Sequence, residues 1–288
     1  MAKGLFVGMV TLDWIYLCDH LPQPNEKIAA ADWTLAAGGP ATNAAVTFSY
    51  LGNAAALLGT VGQHPSGELI RADLAHYGVA LRDLDPERSA PPPVSSILVD
   101  RASGERTVIS LKAPAVQPEG ASALEGYLDN VAITLLDGHQ MAASEALAKQ
   151  ASARSIPVAI DGGSWKPGFE RVLPYVTYAI CSADFYPPGC QTQADTFAYL
   201  ADCGIPHAAI TQGEGPIPYL SPDGEGQIPV PTVESLDTAA AGDILHGAFC
   251  HHALERDFPS ALTAAAQVAS RACQSFGSRQ WMEEPSRS

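Results

Sequence analysis

The chain has 288 residues, of which 47% are hydrophobic and 16% charged, and 31 acidic against 16 basic residues give it a formal net charge of −15. This composition is typical of a globular protein with a large core, and it excludes a disordered chain. The acidic balance argues against nucleic acid or an anionic membrane as the main partner. A phosphate ligand would therefore need backbone amides, a metal ion and a few well-placed cations.

The six cysteines are dispersed, with no Cys-x-x-Cys pair and no zinc-ligand spacing. In a chain of this length they predict reduced thiols and a cytoplasmic location. The first ten residues lack the apolar segment and cleavage site of a signal peptide. No apolar run approaches the roughly 18 residues of a membrane span.

Short apolar runs alternate with amphipathic segments along the chain. Strands are predicted at 4–10, 54–61, 131–136, 158–160, 178–181 and 207–211, and helices at 41–51, 66–77, 141–154, 193–201 and 259–275. In the second helix, Leu69, Ile70 and Leu74 are expected to face inward. This alternation predicts one α/β domain over 1–288, with a mostly parallel sheet covered by helices on both faces.

Two segments, 14–36 and 92–112, look like β insertions into this domain. The second contains a predicted hairpin, with strands at 95–100 and 106–111 joined by a polar turn. We expect the insertions to form a small sheet beside the main one, as a lid would. Because exposed β edges invite pairing, a homodimer through this sheet is a candidate assembly.

A turn made only of alanine and glycine, 239–242, lies at the start of an apolar helix, with Asp237 and Asp243 at its two ends. Small residues let the backbone approach a ligand closely, and the free N–H groups of a helix N-terminus attract anions. A carboxylate beside an anion site is repelled by the ligand, so its presence suggests proton chemistry. Together these features predict transfer of a phosphoryl group.

Three well-known phosphate and kinase motifs are missing. The sequence has no GxxxxGK[ST] loop, no GxGxxG after the first strand and no protein-kinase signature set. The segment Thr211-Gln212-Gly213-Glu214-Gly215 is a strand followed by a glycine turn, which on its own is more typical of a structural turn.

The segment Gly38-Gly39-Pro40-Ala41-Thr42-Asn43-Ala44-Ala45 resembles the first signature of the ribokinase/PfkB family of sugar kinases, and 237–243 resembles the second. Segments at 59–62, 78–79, 104–107 and 211–213 follow the order of that family, so the resemblance covers almost the whole chain. The phrase at 242–248 looks closest to the ketohexokinase and sulfofructose-kinase branches. The resemblance implies a ribokinase-like three-layer α/β/α fold with a small β lid.

It also implies an ATP-dependent kinase that phosphorylates a hydroxyl of a sugar or similar small molecule. Asp243 matches the family's general base, which would contribute roughly 10²–10⁴-fold to the rate. The backbone amides of Ala240, Ala241 and Gly242 match the anion hole for the migrating phosphoryl group. This agrees with the residue-level interpretation, because phosphoryl transfer depends on positioning and charge stabilisation.

Candidate sugar contacts lie in the first half of the chain. They are Asp13, Gly38, Gly39, Asn43, Asn25, Lys112 and His139. Asp13 and the glycine pair could instead be ordinary turn residues, and Lys112 a solvated lysine. His139 and Asp161 end two predicted strands, at the edge where ligands of open α/β sheets bind.

The resemblance assigns the nucleotide to residues in the second half of the chain. They are Thr211, Gly213, Gly215, Asp237 and Thr238. Mg²⁺ is expected with ATP, and Asp184 stands where the family's metal-positioning Asn-x-x-Glu would be, so it would act through water. A monovalent cation near the anion hole is implied by the resemblance alone.

Ala240 replaces the usual glycine of the second signature. If that position needs a positive φ, alanine costs on the order of 1–2 kcal/mol. Two alternatives to an efficient sugar kinase therefore stay open: a nucleoside kinase of the same fold, and a catalytically weak or non-catalytic sugar- or nucleotide-binding protein.

Overall fold

The computed structural model describes residues 1–111, 124 and 126–283, and the predicted site residue Lys112 lies outside these ranges. The strands are β1 Lys3–Val7, β2 Thr11–Cys18, β3 Asp32–Gly38, β4 Ala54–Gly59, β5 Val79–Asp83, β6 Val94–Asp100, β7 Arg106–Ser110, β8 Val131–Leu136, β9 Val158–Gly162, β10 Tyr178–Ser182, β11 His207–Thr211, β12 Ile217–Ser221 and β13 Gly224–Ile228. The α-helices are α1 Pro40–Tyr50, α2 Ser66–His76, α3 Met141–Ala153, α4 Phe169–Val172, α5 Gln193–Asp202, α6 Ala241–His252 and α7 Phe258–Ala272.

The larger sheet has nine strands in the order β13-β12-β11-β10-β9-β8-β1-β4-β5. The seven strands from β11 to β5 are parallel to their neighbours, and β12 and β13 add an antiparallel hairpin at one edge. Phe6 at the centre pairs in register with Leu57 on one side and Leu135 on the other. The predicted mostly parallel sheet is confirmed.

Helices cover both faces of this sheet and bury two separate cores. Phe48 of α1, Ile70 of α2, Phe249 of α6 and Leu262 of α7 belong to the core on one face. Leu147 of α3 and Leu200 of α5 belong to the core on the other face. Because the parallel strands are buried on both faces, their sequences are nearly continuous apolar runs. The three-layer α/β/α prediction is confirmed.

The second sheet has four strands in the order β3-β2-β6-β7 and contains the predicted hairpin of β6 and β7. Its inner face presents Ile15, Leu17, Ile97 and Val99, which pack against Phe276 near the end of the described chain. The small β lid is therefore present. Residues 19–31 of the first predicted insertion form no strand.

Two details of the sequence prediction are wrong. Leu69 was expected to face inward, but it is 44% exposed, whereas the adjacent Ile70 and Leu74 are buried. Successive residues are 100° apart around a helix, and Leu69 lies outside the face that Ile70 and Leu74 bury. The hairpin of β12 and β13 was missed: its two-residue loop is Pro222-Asp223, which lacks the Asn-Gly or Asp-Gly signal, and Gly224 of β13 already pairs with Ser221.

No helix in the described ranges is both long enough and apolar enough to span a membrane.

Candidate active site

The site forms where β1, α1 and β8 meet, and the buried carboxylate of Asp137 ties them together. Its Oδ2 accepts hydrogen bonds from the backbone N–H of Met9 at 2.9 Å and of Ala41 at 3.2 Å. Its Oδ1 accepts a third from the N–H of His139 at 2.9 Å. Asp137 was not singled out from the sequence, although a carboxylate directly after a buried strand was its available signal.

Asp13 lies in β2, at the junction of the two sheets. Its Oδ1 accepts a 2.7 Å hydrogen bond from the Thr11 hydroxyl. Gly38 lies beside it in β3, where a Cβ atom would collide with the Asp13 carboxylate. Burial raises the pKa of Asp13, and hydrogen bonds from Thr11 and Ser95 and the charge of Arg279 oppose this rise.

Gly39 is the N-cap of α1 and has a φ of 104°, which L side chains rarely adopt. A Cβ atom there would also collide with the carbonyl oxygen of Met9. The glycine pair therefore lets the chain pass close beneath Asp13 and turn into α1. This brings Asn43, in the first turn of α1, to the predicted site.

Asn43 connects the two signature segments. Its Nδ2 donates to Oδ2 of Asp243 at 2.8 Å, and its Oδ1 accepts from Nη1 of Arg279 at 2.9 Å. The second proton on Nδ2 has no partner in the described structure. Asn43 therefore lies where it was predicted, but its first contact is with Asp243.

Arg279 is 7% exposed and is a site-supporting residue that the sequence did not reveal. Besides Asn43, its guanidinium contacts the Ala37 carbonyl at 2.6 Å and the Asp73 carboxylate at 3.3 Å, and it lies over the Tyr77 ring, 5.4 Å from the centroid. A lone arginine near the end of the chain carried no pattern by which to find it.

Asp243 lies in the first turn of α6, between Asn43 and the small-residue turn. Its pKa is raised to about 7, first by burial and then by the charge of Asp161, and more weakly by Asp13. The Asn43 hydrogen bond and His246 act in the opposite direction. The carboxylate is therefore poised to gain or lose a proton near neutral pH.

Asp237, which is 2% exposed, stabilises the turn before α6 through hydrogen bonds to the backbone. Its carboxylate accepts hydrogen bonds from the N–H of Ala239 at 2.7 Å and of Gly277 at 2.9 Å. Ala240 takes the left-handed conformation, with φ 59° and ψ 9°. Asp237 thus shapes the turn from beneath.

The N-terminus of α6 offers free amides. The N–H of Ala241 contacts the Thr238 carbonyl at 3.3 Å, but the N–H groups of Ala240, Gly242 and Asp243 have no hydrogen-bond partner among the described residues. Gly242 is exposed. Unpaired N–H groups and the helix dipole make this end of α6 suited to an anion.

A cavity of about 470 Å³ opens beside these amides. Its lining includes the predicted residues Thr211, Gly213, Thr238, Ala241 and Gly242, together with apolar side chains from β12 to α7. Gly215 and Asp237 do not line it. A second cavity, of about 490 Å³, lies near the amino-terminal ends of β1 and β4, away from these residues.

Arg106 brings the lid to this cavity. From β7, its Nη1 donates to the carbonyl of Thr238 at 3.0 Å and to the hydroxyl of Thr238 at 2.9 Å. It therefore places a positive charge beside the small-residue turn, and it also lines the cavity. In the sequence, residues 104–107 stand out only as one of the segments that follow the order of the family, and no role for Arg106 is predicted.

The remaining predicted residues lie at varying distances from this centre. Burial lowers the pKa of His139, while the charges of Asp137 and Asp161 oppose this shift. His139 therefore interacts electrostatically with two acidic residues near the site. Asn25 is exposed in the β2–β3 loop, and no hydrogen bond recorded for the described residues joins it to the site. Asp184 is exposed after β10, where its N–H contacts the Ser182 hydroxyl at 3.1 Å.

Comparisons with known proteins identify a family. The pfkB family of carbohydrate kinases matches residues 1–285. The ribokinase of Bacillus subtilis is 24% identical over 97% of this chain and 95% of its own length. An ATP-dependent ribose-1-phosphate kinase of Halopiger xanaduensis is 27% identical over 86% of this chain and 84% of its own.

Among solved structures, Arabidopsis thaliana ribokinase in complex with ribose and ATP superposes with a TM-score of 0.80 at 20% identity, covering 99% of this chain and all of that one. This likeness shows the ribokinase-like fold. The family match spans nearly the whole sequence, including both signature segments and every residue of the site. The chain belongs to the pfkB family of carbohydrate kinases.

Proposed function

We propose that the protein is an ATP-dependent kinase that transfers the γ-phosphoryl group to a hydroxyl of a sugar or sugar-like molecule, with Asp243 as general base. The observation that carries the proposal is the position of Asp243. It lies between the free amides that border the 470 Å³ cavity and the polar group of Asn43 and Asp13. A base placed there touches both substrates.

In this proposal the nucleotide occupies the cavity and its terminal phosphate faces the amide of Gly242. The acceptor sugar lies against Gly38 and Gly39, with hydroxyls on Asp13 and Asn43. Asp243 takes the proton as the acceptor oxygen forms its bond to phosphorus and the bond to ADP breaks. The negative charge that migrates with the phosphoryl group is received by the N-terminus of α6.

Mg²⁺ is implied by the family and would neutralise the phosphate charge. No group of three metal-ligating side chains occurs in the described part of the chain. Mg²⁺ needs no such group, because it commonly binds through phosphates, water and one or two carboxylates. Asp184 would hold it through water. The proposed monovalent cation near the anion hole is testable as a difference in rate between potassium and lithium salts.

The acceptor is proposed to be a small sugar, because two relatives named above act, by their names, on ribose or its phosphate. ATP consumption across a panel of pentoses, hexoses, sugar phosphates and nucleosides tests this. Turnover of nucleosides alone would replace the sugar with the nucleoside alternative. No turnover of any acceptor would leave a non-catalytic binding protein.

Asp243→Asn tests the role of the base. We expect kcat to fall by roughly 10²–10⁴-fold or more while sugar binding persists. Asp202→Asn, at an exposed carboxylate at the end of α5, is the matched control and should keep full activity. Normal kcat in the Asp243 variant would sink the assignment.

We also propose a homodimer through the lid. Trp33, Val108, Ile109 and Leu111 lie on or beside its strands and are between 48% and 67% exposed. Val108, Ile109 and Leu111 belong to or follow the edge strand β7, and Trp33 belongs to the opposite edge strand β3. Each edge therefore exposes apolar side chains that suit a second copy of the same sheet. Light scattering should give twice the monomer mass, and Ile109→Glu should give the monomer.

We propose a cytoplasmic location because the cysteines are free thiols. All six cysteines are unpaired in the structure, which fits a reducing compartment. Cell fractionation tests this location directly.

A further inference from the structure

His246 is a buried histidine that the proposed mechanism does not use. It lies in α6, one turn after Asp243, and its side chain is 5% exposed. Nδ1 lies 2.7 Å from the carbonyl oxygen of Gly242, and Nε2 lies 3.0 Å from the carbonyl oxygen of Ile180 in β10. The Asp161 carboxylate, itself 7% exposed, lies 3.4 Å from Nδ1.

Both ring nitrogens therefore face acceptors. A neutral imidazole has one N–H donor, so in either tautomer one ring nitrogen would point a lone pair at a carbonyl oxygen. The imidazolium donates from both nitrogens and satisfies both carbonyls. Its charge is then balanced by Asp161, as a buried charge requires.

These contacts reach the site through the backbone. The Gly242 carbonyl belongs to the peptide that carries the free N–H of Asp243, within the proposed anion hole. Holding this carbonyl against β10 fixes the direction of that peptide. The Asp161 carboxylate also acts on Asp243, because its charge is the second-largest cause of the raised pKa there.

Other titratable groups around the pair are few. Asp161 acts on His139 after β8 and on the buried thiols of Cys181 in β10 and Cys250 in α6, and Asp13 in β2 acts on Asp243. The two helices packed on α6 add only Tyr50 of α1 and Arg271 of α7. Both of these contact Trp281.

We propose that His246 is a positioning residue of the phosphoryl-transfer site: as an imidazolium it ties the Gly242 carbonyl to β10 and neutralises Asp161, which keeps Asp243 able to act as a base. Asp161 is the counter-ion of this device. The role rests on the proposed kinase activity, but the protonation of the ring does not.

Nitrogen NMR of the ¹⁵N-histidine-labelled protein at pH 7.5 tests whether the His246 ring is protonated on both nitrogens. His246→Gln identifies the signals by their loss. Two protonated ring nitrogens support the inference, and one unprotonated nitrogen overturns it. This measurement needs no substrate, so it decides the point even if the acceptor panel shows no turnover.

The pH profile of kcat/KM, measured with the best acceptor, tests whether His246 and Asp161 act on Asp243. His246→Gln should move the acidic limb to higher pH by about 0.5–1 unit, and Asp161→Asn should move it to lower pH by a similar amount. Cys250→Ala, one turn further along α6, removes buried packing alone and should leave the limb in place. Equal losses of rate at every pH in the His246 and Asp161 variants would overturn the inference, because a purely structural role predicts that result.

Discussion

Nδ2 of Asn43 donates a 2.8 Å hydrogen bond to Oδ2 of Asp243, across 200 residues of sequence. Arg279 fixes which end of the amide faces Asp243, because it donates to Oδ1 of Asn43 and so leaves only the NH₂ group for the carboxylate. The first signature therefore orients the proposed base in the second. The bond also favours the ionised form of Asp243.

Asn43→Ala removes this hydrogen bond and should raise the pKa of Asp243 above its value of about 7. Because the base must be ionised to take a proton, the acidic limb of kcat/KM should move to higher pH. Asn53→Ala is the control, since Asn53 contacts Phe48 and His251 just beyond the same helix. An unchanged limb in the Asn43 variant would contradict the assigned role of the bond.

The raised pKa of Asp243 also predicts how stability depends on pH. The pKa of Asp243 is about 7 in the folded state against an ordinary pKa of 3.8, so between these pH values the folded state holds a proton that the unfolded state has released. Stability from this group is complete below pH 3.8 and is lost as pH rises through 7.

Asp243→Asn removes the titrating carboxyl group and with it the loss of stability at higher pH. We expect the variant to match the wild type near pH 4 and to exceed its free energy of unfolding by an amount on the order of a few kcal/mol at pH 8. Urea denaturation at the two pH values measures this. A constant difference between the two proteins would show that Asp243 has an ordinary pKa.

Much of the fold followed from local pattern. The strands buried on both faces read as apolar runs, and Asp13, Gly39 and Asn43 lay in a recognisable segment that the structure joins to Asp243. The polar contacts that complete the site did not follow. Arg106, Asp137 and Arg279 reach it from distant strands or loops, and only the three-dimensional path of the chain brings them together.

Ala240 shows a prediction that the structure could sharpen. From the sequence, alanine at position 240 is expected to be strained only if its φ is positive. Its φ is 59°, so the strain is present. Ala240→Gly should therefore stabilise the protein by up to about 1 kcal/mol, because the relief of the left-handed strain exceeds the entropy that glycine adds to the unfolded chain.

Ala241→Gly is the matched control for Ala240. Ala241 is the first residue of α6 and has no positive φ, so glycine there should destabilise by about 0.5–1 kcal/mol. Chemical denaturation of both variants measures the difference. Destabilisation by glycine at both positions would show that the left-handed turn carries no strain.

Arg106 is the cation that the small sheet contributes to the proposed nucleotide cavity, where it donates to the carbonyl and hydroxyl of Thr238. Arg106→Ala should raise KM for ATP by about 10-fold, because the variant loses the positive charge that would face the phosphates of the proposed nucleotide, an interaction worth roughly 1.5–3 kcal/mol that water partly screens. The effect should shrink as ionic strength rises.

Arg101→Ala, in the turn of the same hairpin, removes an exposed arginine whose partner is Asp19 at 3.2 Å, so its KM for ATP should stay unchanged. This control separates a local role at Thr238 from a general loss of positive charge on an acidic protein. Equal changes of KM in the two variants would assign the effect to net charge. A change confined to Arg106 would place the lid in contact with the nucleotide, because the two arginines share the hairpin and differ in what they reach.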